Sequence, residues 1–200
     1  MENDQTLRMA LIAGMLLLLS VAAYHRLRAH LASDESLDRR QEGMFILATL
    51  RPAGLLLFAG TLAFLIRPSS MSWSAVPLPP WVRWAGIALL AIDTVFLWWT
   101  MHSLGRNLTD TVVTRRDHSL VSHGPYRWIR HPFYDAMALL VLSLSAAAAN
   151  WFLLAAGAAL VTLLVVRTRR EEDRLVDRFG DAYRSYMAST GRFRPRVRTH

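Results

Sequence analysis

The stretch Phe133–Val166, FYDAMALLVLSLSAAAANWFLLAAGAALVTLLVV, decides the fold, because its 34 residues are too many for one membrane crossing. A helix needs about 20 apolar residues to cross the roughly 30 Å of hydrocarbon in a bilayer. The polar pair Asn150-Trp151 divides the stretch into two apolar halves. We therefore predict two short membrane helices joined by a tight turn near Asn150.

Three further apolar runs precede this hairpin, and they are Leu7–Tyr24, Met44–Ile66 and Trp81–Met101. Each is long enough for one crossing. The first run could be a cleaved signal peptide, but a signal peptide begins with a basic segment and this chain begins with MENDQTLR. The sequence predicts an all-α, polytopic membrane protein with about five transmembrane helices, followed by a C-terminal cytoplasmic helical segment.

The distribution of arginines predicts the orientation of these spans. The chain has no lysine, and its arginines cluster in the first connection, in the third connection and in the ten positions from Arg167 to Arg198. The opposite side has only Arg8, Arg67 and Arg83. The positive-inside rule therefore places the N-terminus outside and the C-terminus in the cytoplasm. Termini on opposite sides of the membrane require an odd number of crossings, which agrees with five.

Composition excludes several classes of function. The absence of cysteine excludes disulfides, thiol catalysis and thiolate metal sites, and we expect no metal. The net charge of +8 suits a membrane protein whose cytoplasmic side meets anionic lipids. The basic residues follow the ends of the spans instead of forming one stripe, so we expect no nucleic-acid partner. The arginine-only, Ala/Leu-rich composition indicates a bacterial inner membrane.

Two charges fall inside predicted spans. Arg51 and Asp93 lie at similar depth, and intramembrane charges are usually paired or functional. We predict that they form an ion pair, with snorkelling of Arg51 or a polar substrate cavity as alternatives. Residues 25–43 are predicted to be a polar connection with a short surface helix. The basic tail from Arg192 is predicted to be irregular and to face lipid.

A polar loop and the end of the last span carry the residues suited to chemistry. The loop contributes His118, Tyr126, Arg130, His131 and Tyr134, and the helix contributes Arg167 and Glu171. Residues four apart lie on one helix face, so Arg167 and Glu171 are neighbours. This pair could also be a simple salt bridge within a charge-rich helix, and Pro132 could simply begin a helix.

Taken together, these motifs resemble a known family. The sequences GPYRWIRHPFY (124–134), Arg167-x-x-x-Glu-Glu, FGDAYRSY (179–186) and Phe193-Arg-Pro195 are similar to the isoprenylcysteine carboxyl methyltransferase and phospholipid methyltransferase group. The resemblance covers residues 104–195, the expected catalytic core of a single domain 1–200 whose first 103 residues form the N-terminal spans. It implies an S-adenosylmethionine-dependent methyltransferase in the membrane.

The resemblance also implies roles for individual residues. Arg167 faces the methyl acceptor, and Arg167, Arg130 and His131 are the expected catalytic residues. The expected cofactor-binding residues are His118, Ser119, Leu120, Val121, Tyr126, His131, Pro132, Phe133, Tyr134 and Glu171. The chain departs from the family pattern at Ala136, where a glycine is usual, and Asp135 is an unusual charge at the start of a span.

The chemistry of these side chains agrees with the implied cofactor. Glu171 can pair with the ammonium of S-adenosylmethionine, and the aromatic rings can face its adenine or sulfonium. The acceptor is expected to be lipidic or hydrophobic and to enter from the bilayer. A carboxylate acceptor needs no base, whereas an amine or thiol needs one, for which His131 and Glu172 are candidates. A membrane reductase that uses NADPH and a non-catalytic membrane protein are the alternatives.

Overall fold

The structure is a computed structural model that describes residues 2–31, 46–105 and 120–196. In these ranges the chain forms helices, short 3-10 segments and a π-helical turn, and it contains no β-strand. The helices are α1 (Glu2–Leu31), α2 (Arg51–Ile66), α3 (Pro80–Leu104), α4 (Pro132–Ala148), α5 (Trp151–Phe179) and α6 (Asp181–Ser189). The π turn is Ile46–Leu50, and the 3-10 segments are Pro68–Ser74 and Gly124–Arg127.

The membrane-helix prediction is confirmed for four segments, which are long and apolar enough to cross a bilayer. They are Asp4–Leu31, Ala48–Ile66, Pro80–Leu104 and Trp151–Phe179. The fifth, α4, is apolar but has 17 residues, or about 25 Å of helix. The all-α fold is therefore confirmed, and the fifth predicted span is present as a shorter apolar helix.

Two arginines connect the helix ends on the side of the bundle where α1 begins, which we call the hairpin end. Arg8 donates to the carbonyl oxygens of Leu65 and Ile66 at the end of α2. Arg83 in the first turn of α3 forms a salt bridge with Asp4 and donates to the carbonyl oxygen of Ala147 near the end of α4. These contacts bring together helix starts and helix ends, so the bundle alternates in direction as predicted.

The turn between α4 and α5 also lies at the hairpin end, where the sequence predicts it. Asn150 is the N-cap of α5, and its side-chain oxygen accepts a hydrogen bond from the Leu153 amide at 3.1 Å. Its amide nitrogen donates to the Ser74 hydroxyl at 2.8 Å. Ala149 before it has φ 50°, a left-handed conformation that is uncommon for a residue with a side chain. The buried side chain of Asn150 thus fixes both the hairpin and the 68–74 segment.

Helix α3 packs between α1 and α4, while α5 packs against α4 and α2. Two glycines allow the closest approaches. A Cβ at Gly86 would lie 2.6 Å from the Ala147 nitrogen of α4, and a Cβ at Gly157 would overlap the Val141 side chain. A side chain at either position would force the helices apart. Glycine at these two positions therefore allows the close spacing of α3 on α4 and of α4 on α5.

The structure corrects two predictions from the sequence. Helix α1 continues to Leu31, so the connection is shorter than predicted; residues 32–45 lie outside the described ranges. The Arg51–Asp93 pair does not form, because both carboxyl oxygens of Asp93 are buried without a hydrogen-bond partner among the described residues. Asp93 lies two turns from Gly86 on the face towards α4, whereas α2 packs on α5, so equal depth does not bring the two charges together.

We predict that Asp93→Leu stabilises the protein. Leucine has the branched shape of aspartate, and the substitution removes a buried polar group whose missing hydrogen bonds cost about 1–3 kcal/mol. Thermal unfolding in detergent measures the change. Thr94→Val is the matched control, because the Thr94 hydroxyl donates to the Leu90 carbonyl oxygen at 2.8 Å and its loss gives no stabilisation. A lower melting temperature for Asp93→Leu would contradict the prediction.

Candidate active site

The candidate site lies at the opposite end of the bundle, which we call the site end, where α4 begins and α5 continues beyond its apolar part. Pro132 occupies the first turn of α4, where its missing N–H costs no hydrogen bond. The 29-residue α5 changes at Arg167 from apolar to charged residues. The α4–α5 hairpin therefore returns Arg167, Glu171 and Glu172 to the level of His131 and Tyr134.

Glu171 is the more accessible of two adjacent glutamates. It accepts a hydrogen bond from the Tyr134 hydroxyl at 2.6 Å. Its other oxygen lies 3.8 Å from Nη2 of Arg167, which confirms that these two residues are neighbours one turn apart. The Nε of Arg167 is buried and has no hydrogen-bond partner within the described residues. The site thus offers a carboxylate and a guanidinium that both retain bonding capacity.

Glu172 is buried and fully engaged. Its Oε1 accepts from Arg130 Nε at 2.9 Å and from Arg192 Nε at 3.2 Å, and it lies 3.2 Å from His131 Nε2. Its Oε2 accepts from Nη2 of Arg192. Arg130 also donates to the carbonyl oxygens of Met187 and Thr190. Glu172 therefore joins the loop before α4, helix α5 and the C-terminal segment.

The ring of His131 is held on three sides. It stacks on the Tyr134 ring with centroids 5.4 Å apart and an angle of 12°, and the Phe193 ring lies 5.8 Å away. Its Nε2 contacts Glu172, and its Nδ1 lies 3.9 Å from Oε2 of Glu171. His131 is 8 % exposed. Its orientation is therefore fixed before any ligand binds.

Tyr126 forms part of the buried floor of this region. The Tyr186 hydroxyl of α6 donates to its carbonyl oxygen at 2.6 Å. Burial raises the pKa of the Tyr126 phenol well above its ordinary value, and nearby Tyr186 and Glu171 raise it further. Tyr126 is therefore neutral at physiological pH, which suits contact with a ligand and excludes a role as a base.

The other residues predicted for the site occupy varied environments. Pro132 is fully buried, and Phe133 packs partly buried against the core. Leu120 and Val121 are half-buried, whereas His118 and Ser119 lie outside the described residues. Ala136 is 2 % exposed within the hydrophobic core, so its methyl group tightens helix packing. One oxygen of Asp135 is buried without a partner in the described part of the chain.

The C-terminal segment corrects the prediction for the tail. Arg192 contacts Glu172 and Phe193 contacts His131, so the first residues of the tail lie against the site and do not face lipid. The Arg130 amide donates to the Gly191 carbonyl oxygen at 2.9 Å, and the His131 amide donates to that of Arg192 at 3.1 Å. The phenylalanine–arginine–proline motif at 193–195 was the available sequence signal that this segment belongs to the site.

Comparisons with known proteins show which family and which fold this chain resembles. Residues 85–177 match the model of the isoprenylcysteine carboxyl methyltransferase (ICMT) family. The chain is 28% identical over 127 residues to the Dictyostelium discoideum protein-S-isoprenylcysteine O-methyltransferase, covering 54% of this chain and 53% of that protein. The chain therefore spans about half the length of this curated relative.

A solved structure gives the same fold. The eukaryotic intramembrane Ras methyltransferase ICMT superposes with a TM-score of 0.53 at 20% sequence identity. The alignment covers 89% of this chain and 64% of the solved chain. The alignment therefore covers more of this chain than residues 85–177, which match the family model.

We predict different consequences for the two adjacent glutamates. Glu172→Gln lowers the free energy of unfolding by about 3–5 kcal/mol, because it leaves the buried guanidinium of Arg130 without its counter-charge. Glu171→Gln changes it by less than about 1 kcal/mol, because that carboxylate is partly exposed and its ion pair is long. Thermal or denaturant unfolding in detergent measures both variants. Equal effects would contradict the distinct environments described for Glu171 and Glu172.

Proposed function

We propose that the chain is an S-adenosylmethionine-dependent methyltransferase of the membrane, as its match to the isoprenylcysteine carboxyl methyltransferase family model over residues 85–177 supports. The observation that carries the proposal is the pairing of a partly exposed carboxylate, Glu171, with an under-bonded guanidinium, Arg167, beside the stacked rings of His131 and Tyr134. A lipidic or other hydrophobic molecule is the proposed methyl acceptor.

The residues present fit such a methyl donor. Glu171 has free acceptor capacity for an ammonium, since its described contacts are one hydroxyl, a guanidinium at 3.8 Å and Nδ1 of His131 at 3.9 Å. The Tyr134 ring offers a face to a cation. When bound, the donor supplies an electrophilic methyl group on a sulfonium. The other positions that the resemblance assigns to the donor remain proposals: His118, Ser119, Leu120, Val121, Tyr126, Pro132 and Phe133.

Arg167 is the proposed acceptor-binding residue. Its side chain is 13% exposed, and its buried Nε lacks a partner in the described ranges. An unsatisfied buried donor of this kind is costly, and a planar carboxylate accepting two N–H bonds would remove the cost. The arrangement therefore supports an acid as the acceptor, which Arg167 would orient.

The contacts of the candidate bases, His131 and Glu172, also support an acid as the methyl acceptor. An amine or thiol acceptor needs a group that takes its proton. Glu172 is held by two guanidiniums, so its lone pairs are already used, and His131 has Nε2 on Glu172 and its remaining Nδ1 beside Glu171. A carboxylate needs no base, and the site would act through alignment and exclusion of water. Arg130 donates to Glu172 and to the backbone carbonyl oxygens of Met187 and Thr190, so we assign it a positioning role.

The proposed orientation places the site in the cytoplasm. At the hairpin end, Arg8 and Arg83 bind carbonyl and carboxylate groups of the protein, and Arg67 is exposed. At the site end, Arg28, Arg169 and Arg174 are exposed. This asymmetry supports an N-terminus outside and a C-terminus inside. A bacterial inner membrane is the proposed location, and membrane lipids are the surroundings through which the acceptor enters.

We predict that Arg167→Ala abolishes methyl transfer and leaves the affinity for S-adenosylmethionine within about threefold, because the lost guanidinium serves the acceptor. The rate of methyl transfer to an S-prenylated cysteine with a free carboxylate measures activity, and equilibrium binding of radiolabelled S-adenosylmethionine measures affinity.

Arg169→Ala is the matched control, since Arg169 is an exposed arginine on the same helix. It should retain both activity and binding. If Arg167→Ala lost binding of the methyl donor in proportion to its activity, Arg167 would serve the donor and the proposed division of roles would be wrong.

A further inference from the structure

Residues Thr190–Phe193, which we call the C-terminal strap, pair with the backbone that enters the site. The Gly191 amide donates to the Trp128 carbonyl oxygen at 3.1 Å, and the Arg130 and His131 amides donate to the strap. A Cβ at Gly191 would overlap the Arg194 carbonyl oxygen, so the sharp bend after the strap requires glycine. The strap is therefore fixed by backbone geometry beside His131.

One side chain of the strap, that of Arg192, contacts the buried Glu172. The guanidinium of Arg192 contacts both oxygens of Glu172, in the fork geometry typical of arginine and carboxylate. The Arg192 side chain is 39% exposed and that of Glu172 is 6% exposed. Arg192 thus closes over a carboxylate that already contacts Arg130 and His131 on its inner side.

The charge on Glu172 determines how His131 presents its two nitrogens. A carboxylate held by two guanidiniums is ionised and accepts hydrogen bonds only, so in the neutral form of His131 the hydrogen is on Nε2. Nδ1 is then an acceptor, and it lies 3.9 Å from Oε2 of Glu171. The two atoms are too far apart to bond each other well, and both can accept from one donor group placed between them.

We propose that Arg192 is a positioning residue that acts through Glu172 on His131. It holds the His131 ring and its tautomer, so that Nδ1 and Glu171 together form a two-acceptor cradle for a primary ammonium. This inference rests on the proposed function, in which that ammonium belongs to the methyl donor. Arg192 need not touch the donor, and it lies 20 residues beyond Glu172 along the chain.

The test compares a ligand that has the ammonium with one that lacks it. S-adenosylmethionine has the ammonium, whereas 5′-methylthioadenosine is a neutral thioether without the amino-acid portion, so it lacks the ammonium, the carboxylate and the sulfonium charge. Arg192→Ala should weaken binding of S-adenosylmethionine by about tenfold to a hundredfold, the usual effect of losing a charge-assisted hydrogen bond. It should leave binding of 5′-methylthioadenosine nearly unchanged. Arg192→Lys, which retains the charge without the fork, should recover part of the loss.

Arg194→Ala is the control within the same tail, because Arg194 is exposed, and it should bind both ligands as the parent protein does. Equal weakening of both ligands by Arg192→Ala, or a reduced kcat at unchanged KM for S-adenosylmethionine, would show a merely structural role and overturn the inference. If Arg192→Ala does not fold, the same comparison with Arg192→Lys decides. Failure of the parent protein to bind S-adenosylmethionine would overturn the proposed function itself.

Discussion

The buried carboxylate of Glu172 is the interaction on which the site end of this protein depends. Three segments distant in sequence reach it: the loop before α4 through Arg130 and His131, helix α5 through Glu172 itself, and the C-terminal strap through Arg192. A charge in such a place is costly unless it is fully paired. The two arginines and the histidine remove this cost, and their contacts hold the three segments together at Glu172.

The helical bundle makes this arrangement possible. Close approach at Gly86 and Gly157 sets the spacing of α3, α4 and α5, and Asn150 sets the turn that returns α5 to the site. The arginines at the two ends of the bundle have different partners. Arg8 and Arg83 at the hairpin end bind helix carbonyls and Asp4, whereas Arg130, Arg167 and Arg192 at the site end surround Glu171 and Glu172.

Much of this architecture follows from the sequence by simple physical rules. The length of Phe133–Val166 and the polar Asn150 predict the hairpin, and Gly180, with φ 55°, is the kind of residue that ends a helix such as α5. The spacing of Arg167 and Glu171 predicts their contact. These features depend on residues close together in the chain, for which helix geometry is sufficient.

The features that sequence could not predict depend on direction around a helix and on contacts between distant segments. Adjacent residues on a helix point about 100° apart, and the sequence does not say whether Glu171 or Glu172 faces the protein interior. Asp93 and Arg51 are expected at similar depth, but depth does not give direction, and α2 packs on α5 while Asp93 lies on the face of α3 towards α4. In the sequence, Arg192 is one of several arginines in a basic tail, and only the folded structure shows its contact with Glu172.

The central claim is that the carboxylate and rings around Glu171 bind S-adenosylmethionine. Calorimetric titration of the purified protein in detergent with S-adenosylmethionine, and separately with NADPH, tests it most directly. The account predicts saturable binding of one S-adenosylmethionine per chain, weakened in Glu171→Gln, and no binding of NADPH. Binding of NADPH in place of S-adenosylmethionine would indicate a reductase, and binding of neither would contradict the account.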